Sequence, residues 1–338
     1  GIPRKNLWLL DGKPMVWHAI SAAKEVSKNT VLITDDDEIS EVGEQLGIEV
    51  IIEPSAATGK KTLDEVLITY LPKLRELGAN DEDQLITLQP TSPLISSKTI
   101  ASSIELLADE GSVISVSDDR HLRWKKDGAG FQPDYEKRVN RQLLPESWRE
   151  TGAVIGCLIA DLEKNQTRIG QPVKLIQLPE HEAIDIDGFS DLAVAEHFFS
   201  RKSIFFKTDS SKDLGMGHVY RVLSLAQELA RHDLKIFLSP EMPLGIEFFS
   251  QYGFVHQSAN EQQFIQQVIE NKPDLVIFDI LDTEAQLIQQ IKHHSPTTKI
   301  VSFEDQGSGA KEVDLLISDV YPNPEVKSDK QLTGIEHA

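Results

Sequence analysis

Short β-rich runs and amphipathic helical stretches alternate along almost the whole of this 338-residue chain. Pro14 to Val26 carries Met15, Trp17, Ile20 and Ala23 at helical spacing and leads into the β-rich run Thr30 to Thr34. Asp35-Asp36-Asp37 then caps a helix running to about Leu46; Gly47 closes it, and Ile48 to Ile52 reads as the next strand. Thr62 to Leu77 reads as a helix, Leu85 to Leu88 as a strand, Ser97 to Ala108 as a helix and Ser112 to Ser117 as a strand. A βαβα succession of this kind predicts a mainly parallel sheet covered by helices.

The rhythm breaks over residues 118–150, which are polar, basic and irregular and read as an excursion over the sheet edge. Regular structure resumes at Ala153 to Ile159 and Lys174 to Leu178, followed by Ala183 to Gly188 and a helix from Ser190 to about Phe199. A fresh α/β start follows at Ser203 to Lys207, with a glycine-containing loop through Gly215-Met216-Gly217-His218 and a helix from Val219 to Arg231. Further strands are predicted at Lys235 to Leu238, Asp274 to Asp279 and Lys299 to Phe303. Single cores stop growing near ~250–300 residues, and the restart predicts two domains, 1–201 and 202–338.

Charge narrows the choice of partners. A formal net charge of -20 argues against nucleic acid, whose phosphates need a basic face. Within that acidic chain, Arg120, Arg123, Lys125, Lys126, Lys137, Arg138, Arg141 and Arg149 form a basic island suited to a small anion or to a solvated face. Cys157 is the single cysteine, so no intrachain disulfide forms, which fits a reducing, cytoplasmic setting. No stretch approaches ~18 consecutive apolar residues, so no membrane insertion is expected.

Three segments carry chemistry. Leu88-Gln89-Pro90-Thr91-Ser92-Pro93-Leu94 ends a β-rich run in two prolines that forbid ladder donation and helix continuation. This predicts a rigid polar loop at the carboxyl end of a strand, the edge where open α/β sheets bind ligands. Asp185 and Asp187 alternate with Ile184 and Ile186, so on a strand both carboxylates share one face. Paired carboxylates suit Mg²⁺ held together with substrate phosphates; the other reading is a helix cap plus a solvated carboxylate. Arg4, Lys5 and Asn6, after Gly1, offer cations and backbone donors suited to a triphosphate.

Taken in order, Gly1 to Asn6 with Leu10 to Pro14, Thr34-Asp35-Asp36, Leu88 to Leu94, Arg138 with Asn140-Arg141-Gln142, Thr151-Gly152-Ala153 and Asp185-Ile186-Asp187 resemble the N-acylneuraminate cytidylyltransferases, or CMP-sialic acid synthetases. The resemblance spans roughly residues 1–200. It implies a Rossmann-like nucleotidyltransferase fold of the glycosyltransferase-A type. It also implies transfer of CMP from CTP to the anomeric hydroxyl of a nonulosonic acid, with Mg²⁺, in an enzyme that is commonly a homodimer. By position, Arg4, Lys5 and Asn6 with Thr91 and Ser92 would hold the nucleotide and its phosphates. Gln89 would contact the sugar, Arg141 the sugar carboxylate, and Asp185 and Asp187 the metal. Family members also carry a strand and a basic loop before the segment matched by Gly1 to Asn6. The expectation is therefore that the chain as given turns over CTP poorly while a longer form is active.

Residues 203–218 with Arg221, Phe278 to Asp282 and Phe303-Glu304-Asp305 resemble the amino-terminal half of the nucleotide-sugar hydrolases of pseudaminic acid biosynthesis, a half of a glycosyltransferase-B fold. That resemblance implies a catalytic role for His218; a capping or solvated histidine is the other reading. Two further alternatives for the chain are another CTP-dependent sugar nucleotidyltransferase and a non-catalytic nucleotide- or sugar-binding module.

Overall fold

The computed structural model describes residues 2–53, 61–108, 110–210, 215–241, 243–318 and 323–334, so Gly1 of the first motif lies outside the described residues. The chain divides into two compact units, Gly1–Ser200 and Arg201–Ala338. No helix among the described residues is long and apolar enough to cross a membrane.

The first unit opens with a tight hairpin of β1 (Leu9–Leu10) and β2 (Lys13–Pro14). Its turn needs left-handed backbone at both central positions, which Asp11 (φ 48°) and Gly12 (φ 72°) supply. There follow α1 (Met15–Val26), β3 (Val31–Thr34), α2 (Asp37–Gln45), β4 (Glu49–Ile52), α3 (Leu63–Glu76), β5 (Gln84–Leu88), α4 (Ser97–Leu107) and β6 (Ser112–Asp118). The helix starts are chemically marked. Asp36 accepts from the Glu38 and Ile39 amides at the head of α2, and Thr62 with Glu65 forms a reciprocal capping box at α3. The expected excursion contains an exposed hairpin, β7 (Trp124–Asp127) with β8 (Gly130–Pro133). The chain then returns in β9 (Trp148–Leu158), α5 (Ile159–Asn165), β10 (Val173–Gln177) and α6 (Phe189–Phe199).

Strand direction departs from the mainly parallel expectation. The larger sheet of this unit has the order β10-β6-β9-β5, and β9 runs antiparallel to both β6 and β5; only β6 and β10 are parallel. The physical reason lies in the connection. No crossover helix joins β6 to β9; the excursion leaves at Asp118 and returns at Trp148, which are cross-strand partners. Strands β3 and β4 form a separate parallel pair. A cavity of about 940 Å³ is lined by Leu32 and Ile33 of β3 and by residues 84–88 of β5, together with Lys5, Asn6, Gln89 and Thr91.

Period-two alternation splits β5 between two packing faces. Ile86 and Leu88 pack with Val154 of β9 against Ala22 and Val26 of α1 and Ile100 of α4. Leu85 packs with Cys157 of β9 against Leu67 of α3 and Leu162 of α5. Helices therefore cover both faces of the sheet.

The second unit is a seven-stranded, wholly parallel sheet: β11 (Ser203–Thr208), β12 (Asp233–Leu238), β13 (His256–Ser258), β14 (Leu275–Asp279), β15 (Lys299–Phe303), β16 (Leu315–Ser318) and β17 (Gln331–Thr333). Between them run α7 (Gly217–Glu228), α8 (Pro243–Ser250), α9 (Glu261–Asn271) and α10 (Ala285–His294). Phe205, Phe237 and Phe278 pack toward α9 and α10, while Ile204, Phe206 and Ile236 pack toward α7. The order β13-β12-β11-β14-β15-β16-β17 reverses its progression between β11 and β14. That reversal is a topological switch point, where such sheets bind ligands beyond the strand ends.

Candidate active site

In the first unit, backbone hydrogen bonds draw together three segments far apart in sequence. The Pro-flanked loop turns at once after β5, with the Ser92 amide donating to the Gln89 carbonyl at 3.1 Å. The Thr91 carbonyl then accepts from the Ile186 amide at 2.8 Å. This docks the segment around Asp185 and Asp187 beside the loop. Those residues lie in extended loop and not on a strand as expected, because their backbone follows the Thr91 loop and the head of α6. Ile186 is buried with Leu10, Met15 and Leu192, Asp187 is exposed, and Ile184 and Asp185 are both half-buried.

Lys5 joins this edge from the start of the chain. Its Nζ donates to Asp187 Oδ1 and to the Ile186 carbonyl, both at 2.9 Å. The ammonium beside it holds the Asp187 carboxyl below the usual carboxylate range. Asp191 Oδ2 accepts from the Asp187 and Gly188 amides and fixes the turn into α6. Gln89 lies over Gly152, whose φ of 74° suits glycine; a Cβ there would sit 3.2 Å from Gln89 Nε2. Lys5, Asn6, Gln89 and Thr91 thus line one cavity, and Asn6 Oδ1 is buried with no partner among the described residues.

Three expected site residues are held differently. Arg4, in left-handed backbone at φ 53°, pairs with Asp36 at 3.1 Å and with Glu38 at 2.9 Å. Those acids, Glu38 first, raise its already high pKa and take up its charge at the head of α2. Ser92 is 1% exposed, and its Oγ has no partner among the described residues. Arg141 is exposed, and its guanidinium stands 3.9 Å from Asp118 at the end of β6. Asp118 is itself lowered to about 2, chiefly by hydrogen bonds from the Arg120 side chain and backbone. Sequence reasoning missed the Arg4 partners. The signal was present, since Asp36 caps α2 and Glu38 lies in its first turn, directly after a strand end.

A divalent cation here would draw on the Asp185 and Asp187 carboxylates and on ligand phosphate oxygens. The residues fit that role, because Asp185 Oδ1 is buried as an acceptor with no partner among the described residues. Among the described residues no group of three or more His, Cys, Asp or Glu gathers to hold a metal by protein alone.

The second unit carries a separate polar cluster at its switch point. His218 lies in the first turn of α7, and its Nδ1 is 2.7 Å from Asp279 Oδ1 at the end of β14. Arg221 grips both oxygens of the same carboxylate, at 2.7 and 2.8 Å. Asp279 is fully buried. At the end of β11, Lys207 Nζ donates to Ser239 Oγ at 2.8 Å and faces Asp209 at 3.4 Å; burial pushes its pKa down. The sequence pointed to His218 through the Gly-x-Gly-His loop. Its carboxylate partner lies 61 residues away and became apparent only once β11 and β14 were paired.

Comparison with known proteins adds to this geometry. Residues 1–142 match the family model described as cytidylyltransferase. The chain is 27% identical over 217 residues to the CMP-N,N'-diacetyllegionaminic acid synthase of Legionella pneumophila, covering 58% of this chain and 89% of that one. It is 26% identical over 233 residues to the N-acylneuraminate cytidylyltransferase of Streptococcus agalactiae, with 63% of this chain matched but only 55% of the relative. Against N-acylneuraminate cytidylyltransferase A of Danio rerio the identity is 27%, over 61% of this chain and 50% of that one. Among solved structures, the 4-diphosphocytidyl-2C-methyl-D-erythritol synthase of Anaerococcus prevotii aligns at a TM-score of 0.44 and 14% identity, over 57% of this chain and 88% of that one. Residues 1–142, which lie within the first unit, are thus similar to the cytidylyltransferases.

Proposed function

We propose that the first unit transfers CMP from CTP to the anomeric hydroxyl of a nonulosonic acid of the sialic, legionaminic or pseudaminic type. The hydroxyl oxygen bonds to the α-phosphorus, the bond to the bridging oxygen breaks, pyrophosphate leaves, and the hydroxyl proton passes to solvent. The observation that carries this reading is the convergence of Lys5, the Gln89–Thr91 turn and Asp187 through the Lys5–Asp187 and Ile186–Thr91 hydrogen bonds. The cytidylyltransferase match of residues 1–142 and the names of the relatives support it.

Within this reading, Lys5 and Asn6 bind the nucleotide phosphates, with Arg4 adding charge where its pairing with Asp36 and Glu38 opens. Gln89 positions the sugar, Thr91 and Ser92 shape the nucleotide seat, and Arg141 offers paired donors to the sugar carboxylate. Asp185 and Asp187 would hold Mg²⁺, which when bound supplies charge neutralisation at the α-phosphate. Catalysis then rests mainly on positioning and charge. Calorimetric CTP binding with and without Mg²⁺ tests the assignment: Asp187→Ala should abolish the metal-dependent gain. Metal-independent binding that the substitution leaves unchanged would favour a non-catalytic nucleotide-binding module. CTP supply and the lone buried cysteine support a cytoplasmic setting.

The second unit supports its own reading, a nucleotide-sugar hydrolase-like site. With Nδ1 of His218 directed at Asp279, Nε2 is the ring nitrogen left to face a substrate. Release of free sugar from a UDP-linked amino sugar should fall at least about 100-fold in His218→Ala; equal rates in the parent and this variant would contradict the role.

A further inference from the structure

We propose that Lys5 is the resident counter-ion of the metal-site carboxylate, and that a divalent cation displaces it and so frees its ammonium for the nucleotide. This rests on the reading of Asp185 and Asp187 given above. The Lys5 ammonium is bonded to one carboxylate oxygen and one backbone carbonyl, Asp187 Oδ1 and Ile186 O, each at 2.9 Å. Hard divalent cations select oxygen donors of these types. Asp185 Oδ1, two residues away, is a buried acceptor with no partner among the described residues.

The ammonium contacts only one of the two carboxylates of this segment, Asp187, whereas a divalent cation held by Asp185 and Asp187 together would neutralise both. The lysine is easily released, because the Asp187 side chain is 76% exposed and ion pairs in such settings are weak. The carboxylate stays in place when the lysine leaves, since its backbone is pinned independently to the Thr91 carbonyl through Ile186 and to Asp191 Oδ2 through Asp187 and Gly188. Lys5 already lines the same cavity as Asn6, Gln89 and Thr91. The exchange therefore transfers a cation from carboxylate to phosphate within one site.

The chain contains a reporter for this exchange. The Trp8 amide donates to the Lys5 carbonyl at 3.0 Å, its indole donates to the Pro3 carbonyl at 3.2 Å, and its ring meets Phe189 edge-on at 5.3 Å. Trp8 thus touches both the Lys5 turn and the first residue of the helix that follows Asp187.

The test uses the whole 338-residue chain and Mg²⁺ alone, without nucleotide, followed by calorimetry and by tryptophan emission, with Trp8→Phe identifying the Trp8 signal. Lys5→Met should bind Mg²⁺ about threefold to tenfold more tightly than the parent, while Asp187→Asn should lose binding. Mg²⁺ should change Trp8 emission in the parent and leave it unchanged in Lys5→Met. Thermal melts that match the parent would confirm that each variant is folded. Lys5→Met binding equal to or weaker than the parent, or a Trp8 response that survives the substitution, overturns the exchange. Pyrophosphate release by the parent separates the two claims: turnover without competition by Lys5 contradicts this inference alone, and competition without turnover contradicts the functional reading alone.

Discussion

Cys157 shows how burial sets chemistry at a single residue. It is 1% exposed between Leu67 and Leu162, and desolvation pushes its thiol up to about 12. The thiolate is the reactive form, so at pH 8 the native thiol should resist alkylation. Iodoacetamide should leave the folded chain unlabelled for an hour and label it fully in urea; rapid labelling of the folded chain would contradict the packing of β5 against β9. The same scale explains what the sequence disclosed of the site. Lys5, Gln89, Thr91, Asp185 and Asp187 were legible as candidates because short motifs carry their chemistry locally. Arg4 was legible as a cation but not as one paired with Asp36 and Glu38, since that contact spans 32 residues and follows from the fold. Ser92 was legible as a hydroxyl, yet its burial depends on how the Pro-flanked loop closes onto the sheet.

At the scale of elements, helix positions followed the sequence closely because caps and periodicity are local. The Thr62–Glu65 box fixed α3, and Asp36 fixed α2. Strand direction was not legible for β9. An apolar run looks alike in either direction, and only its connection to β6 decides; the excursion is polar and irregular, without the amphipathic period of a crossover helix. That excursion carries exposed Trp124, Phe131 and Leu143, with Phe131 75% exposed. The resemblance implies a homodimer, and exposed aromatic residues concentrate at interfaces, so this arm is where that expectation is tested. Sedimentation velocity should show a dimer in the parent and a monomer in Phe131→Glu combined with Leu143→Glu. A dimer in both would remove the arm from the interface.

At the scale of the whole molecule, the chain joins two α/β units of different kinds. The first has a mixed sheet, with its site formed by one strand-end loop, an extended acidic segment and the turn at Lys5. The second is wholly parallel, with polar residues gathered at the β11–β14 switch point. The central claim concerns the first: its edge transfers a cytidylyl group onto an acidic sugar. The most direct measurement is pyrophosphate release by the 338-residue chain, supplied with CTP, Mg²⁺ and, in turn, N-acetylneuraminic, legionaminic, pseudaminic and 3-deoxy-manno-octulosonic acids, with the sugar product identified by mass. The account predicts a CMP-linked product with at least one of the first three acids and a loss of at least about 100-fold in Asp187→Asn. A CMP-linked product from the octulosonate alone, or turnover that Asp187→Asn leaves intact, would contradict it.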